Sequence, residues 1–298
     1  MDFKKRQLTN EKSDLQVNQK NKLTETRKIA DLVIEGSTNF SSRKEVIMKP
    51  NDGFIVEDKI VEAINDKKVS ELSDNLKHFV SFVFPLMNKD EKLKCVKPDS
   101  LIKPDICIYQ RNNYNFISIK SGLSEQIHSE NIQTFIDFLK SQKIDNYTIQ
   151  SYLFYQYGDG TTDGTGKNRM SSVETKIKFN ERIRQMNNAF NKNKNFIKAF
   201  ADRVMFQGVD PEADRAEVLY HGDVDYGVFI GRSQMLKHID HKSWFYMDKC
   251  VHIGPFVIRP KARYSNGEIK NEGSRHVINV SYPRLIYDME YIAKQYSN

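Results

Sequence analysis

The chain has 298 residues, 39% of them hydrophobic, including 18 Phe and 14 Tyr, which can fill one large core or two small ones and excludes a disordered chain. Lys and Arg number 46 against 39 Asp and Glu, a formal charge of +7 that suits a polyanionic partner and equally suits a merely solvated surface. Cys95, Cys107 and Cys250 stand far apart, no apolar run is long enough for a membrane span, and Met1-Asp2-Phe3-Lys4-Lys5-Arg6 leads into polar sequence. A disulfide framework, a thiolate zinc site, export and membrane insertion are therefore not expected, and a reducing cytoplasm is.

Residues 1–50 are polar and read as an accessory arm, with one weakly amphipathic stretch around Ile29, Leu32, Val33 and Ile34. Gly53 opens a run with Val56, Ile60, Ala63 and Ile64 at helical spacing. A second helix carries Leu72, Leu76, Phe79, Val80 and Val83 and stops at Pro85. From Asp105 the residues alternate through Tyr109, pass a polar turn at Gln110 to Asn113, and alternate again from Tyr114 to Lys120, which predicts a β-hairpin. Ser121-Gly122 ends it, and a helix follows with Ile132, Phe135, Ile136 and Leu139 on one face; Tyr147 to Tyr157 reads as a buried strand.

The glycine-rich stretch from Gly158 to Gly166 fails as a P-loop, because Thr161 and Asn168 stand where Gly and Ser/Thr are needed. It fails as a calcium loop too, and a flexible surface loop is expected. A long helical region (Ile177, Ile183, Met186, Phe190, Ile197, Phe200, Val204) is interrupted by the Asn/Lys run from Asn187 to Asn195. Short strands at Tyr226 to Gly231, Val251 to Arg259 and Val277 to Val280 then precede a helix after Pro283. The order implies the α/β class: a mixed central β-sheet flanked by helices, with a C-terminal α+β elaboration. The chain divides into an arm at 1–50, a core at 51–157 and an elaboration at 158–298 packed on the same core.

Strand alternation puts Phe116, Ser118 and Lys120 on one face of the second hairpin strand, with Ser118 and Lys120 roughly 6.6 Å apart along it. Asp105, at the start of the partner strand, comes alongside. A carboxylate that holds Mg2+ beside an ammonium that orients or deprotonates a water is what phosphodiester hydrolysis needs.

Pro104-Asp105 followed by Ser118-Ile119-Lys120 resembles the PD-(D/E)xK nuclease superfamily, to which most type II restriction endonucleases belong. The departure is Ser118, where the family has Asp or Glu. Some restriction enzymes of the superfamily carry Ser there and take a Glu from the following helix. Glu130 is the first choice for that role if the helix starts at Ser129, and Glu125 if it starts at Ser124. Glu57 flanks the apolar stripe of the first helix, where the superfamily often has a Glu, whereas Glu62 lies opposite. His128 would bind a phosphate or merely pack; His238 and His241 are not spaced as ligands and read as structural.

The resemblance implies an endodeoxyribonuclease, catalytic through Asp105, Lys120 and Glu130. Its Mg2+, with Mn2+ able to substitute, would be held by Asp105, Glu130 and Glu57. It implies double-stranded DNA as substrate and a homodimer of the restriction type, in a bacterial cytoplasm. Base reading is expected after residue 157, from the glycine-rich loop, from Lys176, Lys178, Arg182 and Arg184, and from the strand Arg259 to Arg263. The rival readings are a structure-specific repair nuclease and a non-catalytic DNA-binding module on a decayed nuclease fold.

Overall fold

In the computed structural model, residues 52–98, 102–122, 124–244, 250–261 and 272–296 are described. The arm at 1–50, with its stretch around Ile29 to Ile34, lies outside them. Helix α1 (Asp52–Ile64) buries Val56, Ile60 and Ile64. Helix α2 (Asp74–Val83) buries Leu76, Phe79, Val80 and Val83, and Ser73 caps it by accepting the Leu76 N–H at 3.4 Å. Both follow the apolar spacing.

Strands β1 (Lys94–Val96), β2 (Ile106–Gln110) and β3 (Asn113–Lys120) form an antiparallel meander, with the hairpin paired from Gln110↔Asn113 to Ile106↔Ile117. The chain then leaves this sheet. Strand β4 (Gln126–Asn131) occupies the segment where a helix beginning at Ser124 or Ser129 was expected. Helix α3 (Ile132–Ser141) starts only at its cap Asn131, which accepts the Gln133 N–H at 2.8 Å, and it does bury Ile132, Phe135, Ile136 and Leu139. The strand exists because a distant segment, Val277–Ser281, pairs with it and supplies the hydrogen bonds a helix would otherwise supply.

Tyr147 to Tyr157 is also a correction: helix α4 (Asn146–Tyr157) replaces the expected strand. Its signals are Asp145, accepting the Thr148 N–H at 2.9 Å, and Gly158 in the left-handed conformation at its C-terminal end. Thr148, Ile149, Ser151, Tyr152, Tyr155 and Gln156 are all buried, so this helix lacks the wide polar face that reveals a period of 3.6. The following glycine-rich loop, expected to be flexible, is pinned at its base. The buried Asp159 carboxylate accepts from the Thr161 N–H and hydroxyl, each at 2.8 Å, and pairs with Arg275.

Helices α5 (Ser172–Lys178), α6 (Asn180–Asn191) and α7 (Lys194–Asp202) follow, the last broken from its predecessor inside the Asn/Lys run where Asn193 caps it. A π-helical turn at Arg203–Gln207 returns the chain to the first sheet. Strand β5 (Val218–Gly222) lies parallel to β3, and β6 (Gly227–Gly231) antiparallel to β5, giving a mixed sheet in the order β1-β2-β3-β5-β6. After helix α8 (Arg232–His241), strands β7 (Val251–Ile253), β8 (Phe256–Pro260) and β9 (Val277–Ser281) join β4 in an antiparallel sheet ordered β4-β9-β8-β7, and helix α9 (Leu285–Tyr296) closes the chain.

The protein is thus mixed α/β, with helices flanking a mixed five-stranded sheet and a second antiparallel sheet. Segments on both sides of residue 157 share both sheets. Phe135, Tyr152, Phe200, Phe256 and Tyr282 meet edge to face in one core across that point.

Candidate functional site

Asp105 stands just ahead of β2, and its N–H donates to the Ile117 carbonyl at 2.9 Å, so hairpin pairing fixes its backbone. Its Oδ2 accepts from the Ile119 N–H at 2.5 Å and the Ser118 hydroxyl at 3.1 Å, with Lys120 Nζ at 3.5 Å. Among the described residues none donates to Oδ1. The Asp105 and Lys120 side chains are 23% and 22% exposed, so water and a solute reach them. On the opposite face Ile117 and Ile119 are buried, as the alternation requires. Ser118 is fully buried. It stands in the acidic position as a donor to the neighbouring carboxylate, and cannot itself act as an anionic ligand.

Helix α1 brings a second carboxylate. A Cβ at Gly53 would lie 3.9 Å from Ser121 Oγ, so the first turn of α1 rests on the end of β3, and Glu57 follows one turn later. Glu57 is half-buried and paired with Lys97 at 3.2 Å; Lys97 also reaches Asp58 at 2.7 Å. Burial, then the negative charge of Asp105, raises the Glu57 pKa against the opposing pull of Lys97 and Lys120. The two carboxylates therefore sit in one electrostatic field, with the charge of Asp105 disfavouring ionisation of Glu57. That situation favours a cation.

Glu130 is already paired elsewhere. It lies on β4, its side chain 1% exposed, and Arg203 grips both oxygens, Nη2 to Oε2 at 2.6 Å and Nε to Oε1 at 3.3 Å. Burial works to raise its pKa, but hydrogen bonds from His128 and Arg203 and their charges prevail and hold it below the ordinary carboxylate value. His128 is buried beside it, Nε2 3.5 Å from Oε1, and burial lowers its own pKa. Both residues belong to an internal ion-pair cluster in which the Arg203 guanidinium also lies 4.9 Å over the Phe138 ring. Glu125 is exposed at the head of β4.

Three groups around Asp105 escape a reading of motifs. Lys97 holds Glu57. Lys103, two residues before Asp105, donates to the Ile127 carbonyl at 2.9 Å; burial and the charge of Lys120 lower its pKa to about 7 against the pull of Asp105 and Glu130. His221 sits opposite Lys120 across the β3–β5 joint with Nε2 3.0 Å from the Gly122 carbonyl, and its pKa is lowered, chiefly by burial. Lys103 was open to suspicion from its place beside Pro104-Asp105. His221 carried no signal, being far away in sequence.

Of the residues expected to read bases, Arg182 lies over the Phe154 and Phe179 rings at 5.0 and 5.7 Å, and Arg184 pairs with Glu181 at 2.8 Å on the surface of α6. Arg259 is exposed at the end of β8, while Arg263 lies outside the described residues.

Among the described residues no group of three or more His, Cys, Asp and Glu is arranged to hold a metal ion. Nor is any helix among them long and apolar enough to cross a membrane. In comparisons with known proteins, no family matches the chain, and no curated protein matches it significantly.

Proposed function

We propose that the protein is a Mg2+-dependent endodeoxyribonuclease of the PD-(D/E)xK type that hydrolyses phosphodiester bonds of double-stranded DNA, with a sequence-specific restriction endonuclease as the particular reading. The observation that carries it is the Asp105 carboxylate held 3.5 Å from the Lys120 ammonium on adjoining hairpin strands, with Glu57 in the same field. The mixed sheet flanked by helices is the architecture this reading requires.

The donors suit the metal. Mg2+ is commonly held by one or two carboxylates together with waters and substrate phosphates, and does not need a closed protein cage. Asp105 and Glu57 are those carboxylates here, and Glu57 takes the place first assigned to Glu130. When bound, the metal would neutralise phosphate charge and lower the pKa of a water.

The chain's own residues do the rest. The Ile119 N–H and the Ser118 hydroxyl hold Asp105 through Oδ2, which would leave Oδ1 for the cation. Lys120 donates to the Ile119 carbonyl at 2.7 Å, which anchors its ammonium where it orients the attacking water and balances charge on the phosphate. Lys97 shares Glu57 and so competes with any cation for it. Cutting both strands of a duplex calls for two such sites, hence a homodimer, and a cytoplasmic setting goes with that substrate.

Unmethylated plasmid DNA with Mg2+ tests the reading. Wild type should give discrete fragments, and Asp105→Ala, Glu57→Ala and Lys120→Ala should each lose cleavage by several orders of magnitude. Cutting by Lys120→Ala at the wild-type rate would sink the mechanism. Cleavage confined to branched DNA would make it a structure-specific nuclease, and binding without cleavage in Mg2+ or Mn2+ a DNA-binding module.

A further inference from the structure

Helices α8 and α9 do not close over each other with an apolar seam. Between them runs a groove of about 550 Å³, and the facing stripes are polar: Lys237, His238 and Lys242 from the α8 side, Arg284, Tyr287 and Tyr291 from the α9 side. Its floor is Asp288, fully buried, which accepts from the Tyr282 hydroxyl and Lys242 Nζ at 2.8 and 2.9 Å; His238 Nε2 and the Arg284 guanidinium lie at 3.4 and 3.9 Å. One internal carboxylate thus gathers several donors at the bottom of the groove. Lys237, Lys242 and Arg284 against Asp288 leave the lining with an excess of positive charge.

The walls are aromatic. Tyr287 and Tyr291 are 54% and 47% exposed, and Tyr296 at the end of the same helix is 51% exposed. Arg284 covers one face of Tyr287 at 4.6 Å, and the His238 ring lies 5.8 Å from that of Tyr291. Half-exposed rings, one of them backed by a planar guanidinium, are platforms on which another flat, electron-rich ring stacks. Cations interleaved with such platforms match a chain that alternates phosphates with bases.

We infer that the α8–α9 groove binds a single-stranded polynucleotide, with unpaired bases stacked on Tyr287 and Tyr291 and the phosphates against Lys237, Lys242 and Arg284. A duplex does not fit this pattern, because its bases stack on one another and show only edges. The groove's volume suits one or two nucleotides, within the range of ordinary ligand clefts. No residue of the Asp105 site lines this groove. The inference stands whether or not the Asp105 site cuts.

The test is fluorescence anisotropy of the full-length protein with a labelled thymidine oligomer, in a chelating buffer so that cleavage plays no part. Tyr291→Ala should weaken binding about tenfold, while Tyr291→Phe, which keeps the ring, binds as wild type. Lys237→Gln, at an exposed position, should lower the slope of log affinity against log salt by about 0.7, the share of one phosphate on a single strand. A duplex should bind all of these proteins equally. Wild-type affinity in both Tyr291→Ala and Lys237→Gln would overturn the inference, as would an equal loss of duplex binding.

Discussion

Removing Arg203 separates a buried structural carboxylate from a metal ligand. In Arg203→Leu the Glu130 side chain, 1% exposed, keeps only His128 at 3.5 Å. Removing one partner of a buried pair costs about 3–5 kcal/mol, because the survivor remains desolvated and uncompensated. In domains of about 150–250 residues each kcal/mol moves Tm by about 2–4 °C, so a loss of about 6–20 °C is expected. The effect has a pH signature. Because the folded-state pKa of Glu130 is lowered, its contribution is fully present above the unfolded-state pKa and is lost as pH falls through the folded one. The deficit of Arg203→Leu should therefore shrink on acidification, when the orphaned carboxylate takes up a proton. Adding Glu130→Leu should recover much of the loss, a coupling that urea unfolding of the four proteins in a double-mutant cycle measures directly. The reasoning fails if Arg203→Leu melts within about 1 °C of wild type. It also fails if Glu130→Gln remains stable yet loses Mg2+-dependent cleavage while Glu57→Gln retains it.

Lys103 predicts the pH dependence of stability on the alkaline side. With its folded pKa lowered to about 7, the unfolded chain binds more protons above that value, so wild type should gain stability from about pH 7 to 10. Lys103→Met should remove that rise; an unchanged Tm-versus-pH profile would refute it. Ser118→Ala deletes a hydrogen bond to the charged Asp105 carboxylate, worth about 1.5–3 kcal/mol, and should raise the Mg2+ concentration for half-maximal cleavage about tenfold or more. Titration of cleavage against Mg2+ reads this, and an unchanged midpoint would show that Ser118 does not aim the carboxylate. Gly227→Ala would put a Cβ 2.2 Å from the Tyr220 ring, which stacks on Phe229 and accepts from Asn75 Nδ2 at 2.7 Å and so has little room to yield. A loss of about 1–3 kcal/mol in urea unfolding is expected, with the m-value unchanged.

What could be read along the chain was what local periodicity encodes. The β2–β3 hairpin was legible because alternation and a short polar turn are both contained in its own sixteen or so residues, roughly the scale of hairpin signals. Glu57 was legible because a helical stripe assigns faces. Asp105 and Lys120 follow from the hairpin register alone. Helix α4 misled for the opposite reason: burial around most of its circumference removes the polar face, and its aromatic and β-branched residues imitate a strand. Strand β4 was hidden because its partner β9 is far away, Ser129 meeting Ile278 and Asn279 across nearly half the chain. Misreading β4 as a helix put Glu130 in a first helical turn, whereas it stands on a strand paired with Arg203. The cap at Asn131 was the available local clue, followed immediately by the apolar face beginning at Ile132.

The parallel joint between β3 and β5 also sets an order of events during synthesis. The hairpin bearing Asp105 and Lys120 can pair as soon as it leaves the ribosome, but His221 and the rest of β5 emerge about a hundred residues later, and closing so long a loop is slow compared with making a hairpin. Until then β3 keeps an open edge and its end lacks a parallel neighbour. The Asp105–Lys120 pair consequently gains its second flanking strand only after about a hundred further residues have been made, which ties the finished geometry at the end of β3 to the late part of the chain.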